Sequence, residues 1–157
     1  MSSIWGSIED EVSAVKDGIN TATANVLKAF DEIDKNKEYS AIISLTTERA
    51  YKRATQVDEL IKSGKDAGRL AGIPFIVKDN FLAFGAETTA ASNMLKGFAS
   101  PYQATAIELL EAEGAICVAK ANLDAFAHGG SRSCAGQPDK TFSIFANLRM
   151  LAPVRFM

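Results

Sequence analysis

Gly72-Ile73-Pro74-Phe75-Ile76-Val77-Lys78-Asp79-Asn80 decides how this chain is read. A short apolar run closes in one lysine and a polar turn, the pattern of a buried strand ended by a loop. A second apolar run, Ala115-Ile116-Cys117-Val118-Ala119, ends in the same way in Lys120-Ala121-Asn122. Between the two, residues 102–113 carry Ala106, Ile107 and Leu110 on one helical face, and Gly114 supplies a left-handed stop. Strand, helix, strand, with both strands apolar throughout, predicts an α/β layer with parallel pairing. In open α/β sheets the ligand crevice lies at the carboxyl ends of the strands, which is where Lys78 and Lys120 fall. A lysine at the end of a buried strand stands partly in low dielectric, and lost hydration favours its neutral, basic form. The plainer alternative is that both lysines reach solvent where strands meet loops, the Lys120 stem covering the sheet edge.

Upstream, the pattern is helical. Val12, Val15 and Ile19 are spaced for a short amphipathic helix over 9–19, which Gly18 ends. Thr21 or Thr23 offers an N-cap for a second helix with Val26, Leu27, Phe30 and Ile33 on one face. Residues 34–38 form a solvated turn. Ala50, Ala54, Val57 and Ile61 mark a third helix over 47–63. Gly64-Lys65 resembles the end of a phosphate-binding loop, but Glu59 stands where the first glycine belongs. Residues 79–101 have no clean period and hold Gly85, Gly97 and Pro101, so they read as irregular loop with short strands. A short helix over 123–127 leads into Gly129-Gly130-Ser131.

The bulk properties narrow the class. The 157 residues suffice for one domain with a core. With 47% hydrophobic and 23% charged residues the chain is globular rather than disordered. A net charge of −2 predicts neither a nucleic-acid footprint nor an anionic-membrane surface. No apolar run approaches the ~20 residues of a spanning helix, and residues 1–11 lack the basic and apolar regions of a secretory signal. Cys117 reads as a small buried hydrophobe and Cys134 lies in a Gly/Ser loop. No Cys-x-x-Cys pair and no Asn-x-Ser/Thr acceptor occurs, so zinc, a redox dithiol and glycosylation are not expected, and a reducing cytosol is.

Six pieces in order carry a resemblance. They are Gly72-Ile73-Pro74 with Lys78-Asp79-Asn80; Thr88-Thr89-Ala90-Ala91-Ser92; Pro101-Tyr102-Gln103-Ala104-Thr105; Leu110-Glu111-Ala112-Glu113-Gly114-Ala115; Lys120-Ala121-Asn122-Leu123-Asp124; and Phe126-Ala127-His128-Gly129-Gly130-Ser131. Together they resemble the amidase signature family, most of all its glutaminase-type subunits from tRNA-dependent amidotransferases. The helices over 21–63 resemble that family's N-terminal region more loosely. The resemblance implies an α/β fold: N-terminal helices plus the first part of the family's mixed, helix-flanked sheet, incomplete here. It also implies amide hydrolysis by a Ser–cis-Ser–Lys arrangement through an acyl-enzyme, with backbone N–H groups holding the oxyanion. Lys78 matches the catalytic lysine, and Ser131 a loop near the substrate. No cofactor or metal is implied in this chain. The implied substrate is glutamine, whose ammonia passes to a partner subunit that amidates glutamyl-tRNA with ATP and Mg. The implied partners are the B and C subunits, with tRNA reached only through the partner. Ala125 stands where many relatives carry an acid and His128 where many carry methionine. A Cys134–His128 dyad is conceivable by spacing, but nothing orients it.

After Ser131 the family pattern stops. The Gly-Gly-Ser-Ser-Gly-Gly-Ser type of stretch that holds the cis serine would fall near Pro153, and the nucleophile beyond Met157; neither serine is present. Residues 132–157 hold four cations against Asp139 alone, net +3, which leaves −5 for residues 1–131. The expected division is therefore 1–131 as the N-terminal part of an amidase signature domain and 132–157 as a divergent tail, frameshifted or truncated, with a regulatory tail as the alternative. Ser131 or Ser133 as a surrogate nucleophile is the weaker reading, since a Gly-Gly-Ser loop is ordinarily just flexible. The chain alone is expected to be inactive. The competing expectations are a fragment of a small-amide hydrolase and a non-catalytic interaction module.

Overall fold

A computed structural model describes residues 5–127. In chain order these hold α1 (Ile8–Lys16), α2 (Ala22–Lys35), β1 (Ile42–Leu45), α3 (Thr47–Lys62), β2 (Pro74–Lys78), α4 (Thr105–Ala112) and β3 (Ile116–Ala121). Single 3-10 turns lie at Lys37–Tyr39, Asn93–Leu95 and Ala125–Ala127. The last replaces the short helix expected there, because Phe126 takes φ 55° and breaks the helical path.

The strands form one mixed sheet in the order β1-β3-β2. β2 and β3 run parallel, as the strand–helix–strand pattern requires. β1 pairs antiparallel with β3 and has no counterpart in the sequence reading. Ile42-Ile43-Ser44-Leu45 is too short to show a period, and its outward Ile43 and Leu45 blur the apolar alternation.

Helices α2 and α3 cover one face of the sheet. Their contact is built from small side chains: Ala22, Val26 and Ala29 meet Ala50, Ala54 and Val57, all buried. Small residues let the helix axes approach closely, so the buried stripe of α2 is Ala22–Val26–Ala29 at helical spacing. Leu27, expected on that face, is 46% exposed because it lies about a hundred degrees round the helix from Val26. Ile19 is also exposed, since α1 stops at Lys16 and Gly18 (φ 73°) turns the chain away. In α4 only Ile107 of the expected face is buried. Leu110 and Ala106 face outward, and Glu111 takes the inward position beside Arg49 and Gln103.

Two devices fix the helices from a distance. Thr21 caps α2 by accepting from Ala24 N–H at 3.0 Å. Asp58 of α3 adds a second cap: its carboxylate accepts from Ala22 N–H (2.7 Å), Thr23 N–H (3.1 Å) and the Thr23 hydroxyl (2.7 Å). An acid on the first turn of another helix satisfies orphan donors and meets the positive end of the dipole. Gly114 is the other fixed point, for at φ 87° a Cβ would stand 2.1 Å from the Ala67 carbonyl oxygen. That closeness lets the end of α4 lie against the 67–71 loop.

One irregularity sets which side chains face which layer. The register of β2 on β3 slips between Phe75 and Ile76: Phe75 pairs with Cys117, Ile76 with Ala119 and Val77 with Lys120. Val118 is therefore an extra residue on β3, a bulge. Val118 and Ala119 both join the core under α2 and α3, while Cys117 joins Val77, Ala83 and Ile107 on the opposite face. Strict alternation would have aimed Lys120 at the helical core. The bulge sends it to the opposite face instead.

Replacing Asp58 by alanine removes three acceptor contacts at once and is expected to cost about 1–3 kcal/mol. A urea unfolding midpoint checks it, with Asp58→Asn losing less than Asp58→Ala.

Candidate functional site

The carboxyl ends of β2 and β3 meet the loop 79–104, and a buried polar cluster forms there. Lys78 ends β2 with its side chain exposed. The half-burial expected for it is not formed by residues 5–127, because Lys78 leaves the sheet on the face opposite to Val77, at the last pairing of β2 with β3 (Lys78 with Ala121). Lys120 departs from expectation in the other direction. It is fully buried, not at a solvent-facing sheet edge.

Lys120 Nζ lies 3.0 Å from Asp79 Oδ1, with both side chains at zero exposure. It also donates to the Thr88 hydroxyl at 2.9 Å and to the Glu87 carbonyl at 3.3 Å. Three oxygens thus stand round the ammonium, two as hydrogen-bond acceptors and Asp79 Oδ1 as its ion-pair partner. The other Asp79 oxygen accepts from Thr89 N–H (3.0 Å) and the Thr89 hydroxyl (2.6 Å). The Asp79 backbone is held as firmly: its N–H donates to Ala121 O (3.0 Å) and its carbonyl accepts from Ala90 N–H (3.3 Å). Asp79 is therefore the joint between both strand ends and the loop.

That joint holds strained backbone in place. Ala90 and Ala91 both sit in the left-handed region, at φ 48° and 53°. For a non-glycine residue this conformation costs about 1–2 kcal/mol. The Ala90 N–H bond to Asp79, the Ala91 N–H bond to the Thr89 hydroxyl (3.2 Å) and the Phe126 N–H bond to Ala90 O (2.9 Å) offset it. The pieces Lys78-Asp79-Asn80, Thr88–Ser92, Lys120–Asp124 and Phe126, far apart in sequence, converge here. Sequence reasoning placed Lys78 and Lys120 at strand ends but missed Asp79, Thr88 and Thr89 as the network between them. The only signal was an acid directly after Lys78, and pairing it with a lysine in another strand requires the fold.

Cys117 is buried, and burial pushes its thiol up to about 12. A nucleophilic cysteine needs a thiolate, so this one packs rather than reacts. Among the described residues no group of His, Cys, Asp and Glu side chains is arranged to hold a metal, and no helix is long and apolar enough to cross a membrane. Ser131, His128, Ser133, Cys134 and the whole 132–157 segment lie outside the described residues.

The family model described as Amidase matches residues 24–139. The A subunit of the human mitochondrial glutamyl-tRNA(Gln) amidotransferase is 43% identical over 123 residues, 78% of this chain and 23% of that protein. Glutamyl-tRNA(Gln) amidotransferase A subunit 2 of Clostridium acetobutylicum is 48% identical over 109 residues, 68% of this chain and 23% of the relative. The chain thus spans about a quarter of the length of the relatives it matches. Among solved structures, the peptide amidase of Stenotrophomonas maltophilia superposes with a TM-score of 0.75 at 28% identity, over 80% of this chain and 26% of that one. The glutamyl-tRNA(Gln) amidotransferase A subunit of Thermotoga maritima gives 0.54 at 27% identity, over 70% and 22%.

The Cys117 thiol predicts a pH dependence. Its folded value stands above the unfolded one, so between pH 9 and about 12 the folded state binds more protons. Stability from this group is complete below pH 9 and is lost as pH rises towards 12. Subtracting the stability–pH curve of Cys117→Ala from that of the parent chain should isolate this alkaline loss.

Proposed function

Because the chain belongs to the amidase family, we propose that it is the N-terminal portion of the amidase-type A subunit of a tRNA-dependent amidotransferase, with Lys78 as its catalytic lysine. The observation that carries this is the identity of 42–48% with such A subunits across 68–78% of the chain. The superposition on a peptide amidase is tighter than that on an amidotransferase A subunit, which favours a small-amide hydrolase as the second reading. Backbone shape is shared by the whole family, however, and the side chains separate its branches, so sequence identity decides.

In this reading the substrate is glutamine. A neutral Lys78 takes a proton from the serine of a cis peptide. That serine takes one from the nucleophilic serine, which attacks the amide carbon. The proton passes back through the cis serine to the amide nitrogen as the C–N bond breaks, ammonia leaves, and water hydrolyses the acyl-enzyme to glutamate, restoring the serine hydroxyl. The B subunit uses the ammonia to convert glutamyl-tRNA(Gln) to glutaminyl-tRNA(Gln) with ATP and Mg, and the C subunit completes the assembly. A lysine becomes a base only after losing hydration, so the reading requires more of a family domain to cover the exposed Lys78. Ser131 belongs to the loop at the substrate. The compartment is a reducing one, and we retain the cytosol. Since the human and rat relatives are named as mitochondrial, subcellular fractionation separates the two locations.

The 157 residues contain neither serine of the mechanism in its expected motif. Supplied alone, the chain should release no ammonia from glutamine. Turnover that disappears in Lys78→Ala would overturn this. The positive test is a chimera in which residues 1–127 replace the matching part of the C. acetobutylicum A subunit 2. With its partner subunits the chimera should hydrolyse glutamine, and Lys78→Ala should lower kcat at least about 100-fold. A chimera that prefers a small aliphatic amide supports the hydrolase reading. An inactive chimera that still binds the B subunit stoichiometrically supports an interaction module.

A further inference from the structure

Lys120 is a fully buried cation with no part in the proton transfers above. Resting on the reading of Lys78 as the catalytic lysine, we propose that Lys120 is a positioning residue: through Asp79 it fixes the end of β2, and with it the point from which the Lys78 side chain leaves the sheet.

Three observations meet in this. Asp79 follows Lys78 directly, and its N–H bond to Ala121 O is the last link of β2 to β3. Residues 79–92 contain no strand beyond the single Glu87–Ala99 bridge, and the contacts that tie this loop back to the end of β2 run through Asp79. Thr89 binds the carboxylate, Ala90 binds the Asp79 carbonyl, and Thr88 binds Lys120 itself. Lys120 thus grips the loop at Glu87 and Thr88 and the strand end at Asp79, spanning the gap that Lys78 borders. Stability alone does not account for the arrangement. A well-packed apolar pair in place of a buried ion pair is often neutral or stabilising. A buried charge differs in being tied to particular partners: the Lys120 ammonium pairs with Asp79 at 3.0 Å while its hydrogen bonds to Thr88 and Glu87 fix its direction.

Lys120→Met keeps the side-chain stem and removes the charge; Lys120→Met with Asp79→Asn removes both charges. Both variants of the 157-residue chain would be studied by NMR under conditions where they are folded. The readouts are amide exchange at positions 79, 89 and 90, referenced to Ala50 and Ile116, and the side-chain carbon resonances of Lys78. Lys120→Met should lower relative protection at the three amides by at least about tenfold and broaden or shift the Lys78 signal. In the double variant the unfolding midpoint should recover, because no uncompensated charge is left buried, while protection and the Lys78 signal stay altered. If Lys120→Met does not fold, the double variant carries the test. Unchanged relative protection and Lys78 signal in either folded variant would overturn the proposal. So would a double variant in which both return to the parent values, since Lys120 would then serve only to neutralise Asp79. Neither measurement involves turnover, so failure here is distinct from failure of the chimera.

Discussion

A lysine and an aspartate buried together, with no exposure on either side chain, impose order on the half of the molecule that has least regular structure. In low dielectric an ammonium must find an oxygen for each proton, and a carboxylate a donor for each lone pair it turns inward. Lys120 answers with an ion pair to a strand-end carboxylate and hydrogen bonds to a threonine hydroxyl and a backbone carbonyl. Each of the two side-chain partners is then bound elsewhere: Asp79 to Thr89 and Ala90, Thr88 to Phe98. Desolvated charge therefore does for the 79–99 loop what a hydrogen-bond ladder does for a sheet.

The opposite face of the sheet works by different means. There the helices pack through alanine and valine, and position comes from steric fit rather than charge. Polar groups there are tied to backbone, as with Asp58 at the start of α2 and the fully buried Asn25, which donates to the Gly72 carbonyl at 3.2 Å. The sheet thus separates a close-packed helical layer, the side on which Lys78 leaves β2, from the buried polar network of Lys120 and Asp79 at the strand ends. Such a division suits a site that needs exact placement on a firm support.

How far the sequence was legible follows the same division. Helices α2 and α3 and the parallel strands were readable because apolar spacing reports burial directly, as Ala50, Ala54 and Val57 show. Gly114, and the α2 cap to within the pair Thr21 or Thr23, were readable because stop and cap chemistry is local; the structure selects Thr21. β1 was not, being four residues long and joined to β3 across more than seventy residues of chain. Leu27 and Leu110 misled because hydrophobicity does not say which of two apolar stripes a partner helix selects. At the site, the motif pieces pointed to Lys78 and to the neighbourhood of Lys120. That Lys120 is the buried lysine and Lys78 the exposed one depends on strand register, which composition does not encode.

The bulge at Val118 has a consequence for how this segment can vary. Because one supernumerary residue decides the face on which Lys120 emerges, β3 acts as a phase setter for everything downstream. Side-chain exchanges at Cys117 or Val118 leave the phase alone. Loss of a single residue there would rotate Lys120 into the alanine-packed layer and strand Asp79 without a counter-charge, two errors from one deletion. Substitution in this segment costs packing but keeps the phase, whereas a change of length loses the phase itself, unlike in surface loops, where length change is commonly tolerated.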